Sequence, residues 1–196
     1  MASARVVLLL VCALTASACS TTGTTNRYVQ QFDQGEAIAV PYVRQASRAD
    51  CGLAALASVM EYYKGPPYLQ HVLLERYPPA SSRGYSLGEL RDIARAHDFA
   101  GFVVPGNVAL LREQLSRGRP MIVPLQLQGA VPLIDRALDT RYDHYVVVVG
   151  MDDERGKVVT MDPARGPMQL DFDDFAAGWE AMNRAVLLVG LASRPD

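Results

Sequence analysis

Four residues in this chain have types and spacings that could support acyl-transfer chemistry: Gln45, Cys51, His144 and Asp162. Cys51 follows a polar, turn-prone run (Gln45, Ser47, Arg48, Asp50) and stands where a helical pattern begins, with Leu53, Leu56, Ala57, Met60 and Tyr63 recurring at three- and four-residue steps. A thiol at a helix start meets unpaired backbone N–H groups and the positive end of the helix dipole, and both favour the reactive thiolate. His144 opens an apolar run, His144 to Met151, and could serve as general base and acid. Asp162 ends the next strand-like run, in Met161-Asp162-Pro163. A tight hairpin would bring it alongside His144, where a carboxylate can hold the ring's Nδ1–H. Asp143 is its nearest competitor for that role. The side-chain amide of Gln45 could donate to a developing oxyanion, with the Cys51 backbone N–H as second donor.

Each residue also has a plainer reading. Cys51 could be a small core side chain, His144 a histidine at a strand start, Asp162-Pro163 a turn, and Gln45 a polar loop residue. The remaining histidines, His71 and His97, fall on amphipathic helical patterns and read as surface or satisfied groups. The hairpin juxtaposition of His144 with Asp162 is what favours chemistry over packing.

The elements that must position these residues follow from periodicity. A helix from Cys51 ends near Lys64-Gly65, because Pro66-Pro67 forbid its continuation. A second short helix covers Tyr68 to Tyr77. Ser86-Leu87-Gly88-Glu89 is an S-x-x-E capping box that opens a helix to about His97, and Asn107 caps another that runs to Ser116. Ala37 to Val43, with Pro41 inside it, is an extended edge segment, and Ala100 to Val104 is a strand. The second half is strand-rich: Met121 to Gln128, His144 to Met151, Lys157 to Met161, Met168 to Leu170 and Arg184 to Leu191. The turn Asp153-Glu154-Arg155-Gly156 joins two of these strands. Val146 to Val149 is a continuous apolar run of the kind buried on both faces. Asp171 is expected to cap a last helix carrying Phe172, Phe175 and Trp179. The sum is an α+β domain, with N-terminal helices packed on a mainly antiparallel C-terminal sheet.

The chain has 196 residues, is 49% hydrophobic, and carries a formal net charge of −2, so it can bury one core and gives no electrostatic reason to bind nucleic acid. It has no G-x-x-x-x-G-K-[ST] phosphate loop, so ATP binding by this chain is not expected. No metal or organic cofactor is called for by the candidate chemistry.

The first residues read as a targeting segment. Arg5 supplies a positive start, Val6 to Leu14 an apolar stretch, and Ala16-Ser17-Ala18 a small-residue cleavage site directly before Cys19. That order resembles a bacterial lipoprotein signal, with lipid attached to Cys19, although Ala16 stands where such signals more often carry Leu. Ser20 after the cysteine implies the outer membrane, with the domain facing the periplasm. A plain secretory signal is the alternative. The expected organisation is a signal over 1–18, a lipidated cysteine and polar tether over 19–36, a folded domain over 37–192 and a tail over 193–196. Of the three cysteines, Cys12 leaves with the signal and Cys19 is capped, so Cys51 is the single free thiol of an exported domain.

Gln45-x-x-x-x-Asp50-Cys51-Gly52 with Leu56 and Tyr62-Tyr63, then His144-Tyr145 leading through four valines to Gly150, then Asp162-Pro163-x-x-Gly166, occur in the order found in the bacteriocin-processing cysteine peptidases. The chain resembles that family over roughly Val40 to Leu191. The resemblance implies a papain-like fold and cleavage of a peptide or protein substrate. It further implies Cys51 as nucleophile, His144 as base and acid, Asp162 as orienter and Gln45 as oxyanion donor. Relatives cut leader peptides after a double glycine on the cytoplasmic side, whereas export would put this domain elsewhere. Two other readings share the same residues: a non-catalytic peptide-binding or assembly lipoprotein, and another acyl transfer of the transglutaminase or amidase kind.

Overall fold

The computed structural model describes residues 37–65, 70–127 and 142–192. Cys19 with the expected signal and tether, Tyr68, Gln128 and the tail lie outside them, as does the side chain of Asp143. Five helices are described: α1 Cys51–Lys64, α2 Gln70–Arg76, α3 Leu87–Ala96, α4 Val108–Ser116 and α5 Phe172–Glu180. The strands are β1 Phe99–Pro105, β2 Met121–Leu127, β3 Tyr142–Asp152, β4 Lys157–Asp162, β5 Gly166–Asp171 and β6 Ala185–Leu191. They form one six-stranded sheet in the order β1-β6-β2-β3-β4-β5, with every neighbouring pair antiparallel. The α+β expectation holds, and the first strand closes the sheet by pairing with the last.

The valine run of β3 explains how the layers assemble. Tyr145, Val147 and Val149 join the core cluster that includes α1, α2 and α3, whereas Val146 and Val148 join a second cluster with Leu111 of α4 and Phe175 and Trp179 of α5. Strand alternation thus sends successive valines into two different cores, and the sheet is covered on both faces. Each fully buried side chain of this size contributes about 1.5–3 kcal/mol by leaving water.

The helix that carries Cys51 differs from its sequence pattern in one respect. Its periodicity predicts a single apolar stripe, yet all of Cys51 to Met60 is buried. The helix packs on the sheet through β3 and is covered by α2 and α3, so its small residues Ala54, Ala55 and Ala57 fill the remaining sides. Gly52 belongs to the same close approach. A Cβ there would lie 3.0 Å from Leu90 Cδ1 and 3.0 Å from Tyr145 Cδ2. The Tyr145 ring cannot easily give way, since its hydroxyl donates to the Tyr85 carbonyl at 2.8 Å.

The terminal signals hold with one exception. Ser86 and Glu89 form the capping box, and Asn107 Oδ1 accepts from Leu110 N–H at 2.8 Å. Asp171 stands at the N-cap of α5 but makes no capping bond there. Its carboxylate is taken by Lys157 Nζ at 2.6 Å, across the β4–β5 pair Lys157↔Asp171. A cross-strand cation outcompetes a backbone N–H for the same oxygens. The segment from Ala37 to Val43 adds no strand, and Val40 N–H turns back to Ile38 O at 2.9 Å, a γ-turn within the stretch expected to be extended. One peptide N–H, that of Ile38, reaches the sheet, donating to Val149 O at 2.7 Å. Val149 lies where the β3–β4 register shifts, between Val148 and Gly150. Among the described residues, no helix is long and apolar enough to cross a membrane.

Gly52→Ala is expected to destabilise the domain by about 1–3 kcal/mol through overpacking. Denaturant unfolding should show a lower midpoint at unchanged slope.

Candidate functional site

Cys51 is the first residue of α1, entered from a 3₁₀ turn over Arg48–Asp50 that Ser47 caps by accepting from Ala49 N–H at 3.2 Å. The thiol is 5% exposed and is free of any disulfide. Asp50 is buried at the N-cap position but makes no side-chain capping bond.

His144 and Asp162 reach each other as the hairpin reading expects, with a detail that the reading lacks. The β3–β4 pairing stops at Val147↔Met161, so β3 runs on to Tyr142 with only β2 beside it. Asp162 lies one residue past that last pair and His144 three residues before it. The two side chains close across the place where the strands part. His144 Nε2 lies 3.0 Å from Asp162 Oδ1, with both side chains 6% exposed. The expected contact was Nδ1; the structure has Nε2. The ring reaches across a gap, so its outer nitrogen, and not the one nearer the backbone, meets the carboxylate. His144 also interacts with Cys51, which is among the groups that favour its charged form. The imidazole is thus an electrostatic bridge between the two.

The electrostatics follow from that bridge. Burial works against a charged imidazole, but the hydrogen bonds to Asp162 and Cys51, and the charges of both, outweigh it and push the His144 pKa up to about 9. Burial likewise raises the Asp162 carboxyl, and it is outweighed by His144, by the Ala164 N–H and by the charge of Arg165, so the group sits below its ordinary value. Asp162 Oδ1 accepts from Ala164 N–H at 2.7 Å in addition to its bond with His144, which fixes the carboxylate in the Asp-Pro turn.

Gln45 is placed beside this turn by its backbone: its N–H donates to Pro163 O at 3.0 Å. One proton of its side-chain amide goes to Ser47 O, with Nε2 at 3.0 Å, and Oε1 is buried without a partner among the described residues. The second Nε2 proton has no such bond to Ser47. Tyr42 adds a weaker contact to the same carbonyl, its hydroxyl 3.4 Å from Pro163 O. His71 is exposed, and His97 closes α3 with its carbonyl accepting from Lys64 Nζ at 2.9 Å, so neither belongs to the cluster.

Sequence reasoning missed the residues that hold this loop. Pro163 acts through its carbonyl, which no side-chain pattern reveals. Ser58 is a hydroxyl within an otherwise apolar helix face, and that oddity was the available signal. It is 1% exposed and accepts from Val43 N–H at 3.2 Å. No group of three or more His, Cys, Asp or Glu among the described residues could hold a metal ion.

Solved structures share the fold. A C39-like peptidase from Bacillus anthracis aligns at TM-score 0.62 with 16% identity, over 82% of this chain and 100% of its own. The peptidase domain of Streptococcus ComA, a bi-functional ABC transporter involved in quorum sensing, aligns at 0.59 with 21% identity, over 76% and 96%. A double glycine motif protease from an AMS/PCAT transporter, in complex with the leader peptide, aligns at 0.56 with 20% identity, over 80% and 94%. No curated protein sequence matches. The sequence profile described as Peptidase C39 family matches residues 39–189, which takes in all four candidate residues. The fold is the papain-like α+β arrangement, and the chain belongs to the peptidase C39 family.

Proposed function

We propose that this protein is a cysteine peptidase working through Cys51, His144 and Asp162, with Gln45 at the oxyanion. The observation that carries the reading is the buried imidazole of His144, bonded to a carboxylate and electrostatically coupled to the Cys51 thiol. An inert core cysteine has no need of a histidine, still less of one held charged by its own carboxylate. Cys51 gives its proton to His144, and the thiolate attacks the peptide carbonyl carbon while the C=O electron pair moves to oxygen. The second Nε2–H of Gln45 and the Cys51 backbone N–H would hold that oxyanion. Collapse restores the carbonyl and breaks the C–N bond, and the amine leaves with the His144 proton. Water then attacks the thioester, giving its proton to His144. A second collapse releases the acid and regenerates the thiolate–imidazolium pair. Asp162 keeps the ring aligned and its charge stable throughout.

The substrate class is a peptide. The AMS/PCAT relative was solved with a leader peptide, so a peptide with an internal Gly-Gly is the first substrate to assay. The signal-like order of Arg5, Val6 to Leu14, Ala16-Ser17-Ala18 and Cys19 supports placing the enzyme in the cell envelope, anchored by lipid on Cys19. Expressed in a bacterium, the wild type should then fractionate with membranes and incorporate labelled palmitate, and Cys19→Ala should do neither.

Cys51→Ala should abolish cleavage, and Asp162→Asn should lower kcat by about a hundredfold or more. Mass spectrometry of the products separates hydrolysis from amide transfer. Cleavage that survives Cys51→Ala would sink the mechanism. Turnover should also fall as pH rises through about 9, where His144 loses the proton that the leaving amine needs.

Stability should follow the same groups. The folded pKa of His144 lies above its ordinary 6.5, so its contribution is complete below that pH and is lost as pH rises through about 9. The folded pKa of Asp162 lies below its ordinary 3.8, so its contribution is present above that pH and is lost as pH falls through the lower folded value. The gap in unfolding free energy between wild type and His144→Gln should therefore narrow from pH 6.5 to pH 9, as measured by urea titration.

A further inference from the structure

The segment that carries Gln45 is a strap with three of its backbone N–H groups tied to other elements, and the Gln70 amide of α2 brackets Gln45 by donating to Arg44 O at 2.7 Å and accepting from Ala46 N–H at 3.3 Å. Ile38 N–H donates to Val149 O at 2.7 Å, Val43 N–H to Ser58 Oγ at 3.2 Å, and Gln45 N–H to Pro163 O at 3.0 Å. The first tie is to β3 where its register shifts and the last to the turn that carries Asp162. Only the middle one reaches α1, the helix that begins with Cys51.

Ser58 stands seven residues after Cys51, two helical turns along and on the same face, so the helix fixes the two about 10 Å apart. Its neighbours Ala57, Val59 and Met60 are fully buried and apolar. A hydroxyl in such a place is costly unless it makes a hydrogen bond, and the bond it accepts comes from the strap two residues before Gln45. With Val43 indexed to the nucleophile's helix and Gln45 to the orienter's turn, the Gln45 amide is held between the two halves of the site.

We propose that Ser58 is a positioning residue of the oxyanion site, setting the Gln45 amide relative to Cys51 through its bond to the Val43 N–H. This rests on the reading of Gln45 and Cys51 given above. Ser58 touches no substrate. Its loss lets the strap shift, and a misplacement of about 1 Å at a catalytic group costs up to about a hundredfold in rate.

The test separates the oxyanion from the thiolate. Hydrolysis of p-nitrophenyl acetate passes through a tetrahedral oxyanion, whereas alkylation of Cys51 by iodoacetamide needs only the thiolate. Both are read on wild type, Ser58→Ala, Gln45→Ala and the double variant, well below each protein's unfolding midpoint, with Cys51→Ala as blank. Gln45→Ala should lose about a hundredfold in ester kcat/KM. Ser58→Ala should lose about tenfold, with KM little changed and the alkylation rate within about twofold of wild type. In the Gln45→Ala background, Ser58→Ala should cost nothing further, because its effect acts through Gln45. If Ser58→Ala does not fold, the isosteric pair Ser58→Thr and Ser58→Val makes the same comparison, the hydroxyl variant retaining the activity that the methyl variant loses. An equal loss in both backgrounds, a parallel fall in alkylation, or no loss at all overturns the assignment. If Cys51→Ala turns over ester as fast as wild type, the thiol mechanism itself fails before any Ser58 variant is read, and the assignment falls with it.

Discussion

A charged imidazole and a carboxylate, each 6% exposed, lose most of their hydration, and a buried ion pair recovers that cost only with good geometry and further hydrogen bonds. The His144–Asp162 pair meets that demand through its surroundings. Asp162 has a second donor in the Ala164 N–H, and His144 has a second partner in Cys51. Each of these comes from a different part of the chain: a strand start, a turn, and the first residue of a helix. Folding has to bring all three to one point before the pair is tolerable, so the cores on either side of the sheet serve as its frame. The buried α1 fixes Cys51, and the valines of β3 fix His144.

That frame is unusually tight where it needs to be. Gly52 allows α1 to approach the Tyr145 ring, and Tyr145 is the immediate neighbour of His144 on β3. The hydroxyl of that ring is anchored on Tyr85 O, just before the capping box of α3. The helix α1 and the strand β3 are therefore in contact one residue away from Cys51 and from His144. A shift of either would be felt as a clash before it became a change in the Cys51–His144 contact.

Much of this was legible in the sequence, because the informative patterns were local. The capping box, the Asn107 cap, the end of α1 at Lys64-Gly65, the hairpin turn and the valine run each report a short-range cause, and the hairpin was enough to put Asp162 near His144. Tertiary features were less accessible. The all-round burial of α1 depends on α2 and α3 covering its back, which a single-stripe periodicity does not encode. Asp171 was read as a cap because its sequence position suits one; its partner Lys157 lies across a strand pair and not along the chain. The use of Nε2 in place of Nδ1 reflects the parting of β3 from β4 after Val147↔Met161, a register fact. Ser58 showed only as a hydroxyl on an apolar helix face and the Pro163 carbonyl not at all, since their partners belong to a strap that adds no strand of its own.

Pro163 shows how one residue can serve several of these requirements. It stands at the second position of the turn Asp162–Arg165, closed by Arg165 N–H donating to Asp162 O at 3.2 Å, a place that suits its fixed φ. Its carbonyl, turned out of the sheet, is then available to Gln45 N–H and to the Tyr42 hydroxyl. The peptide that ends the strand is thus the one that receives the strap. The gap beside His144 and the tie to the Gln45 N–H both lie where β4 leaves β3 and turns.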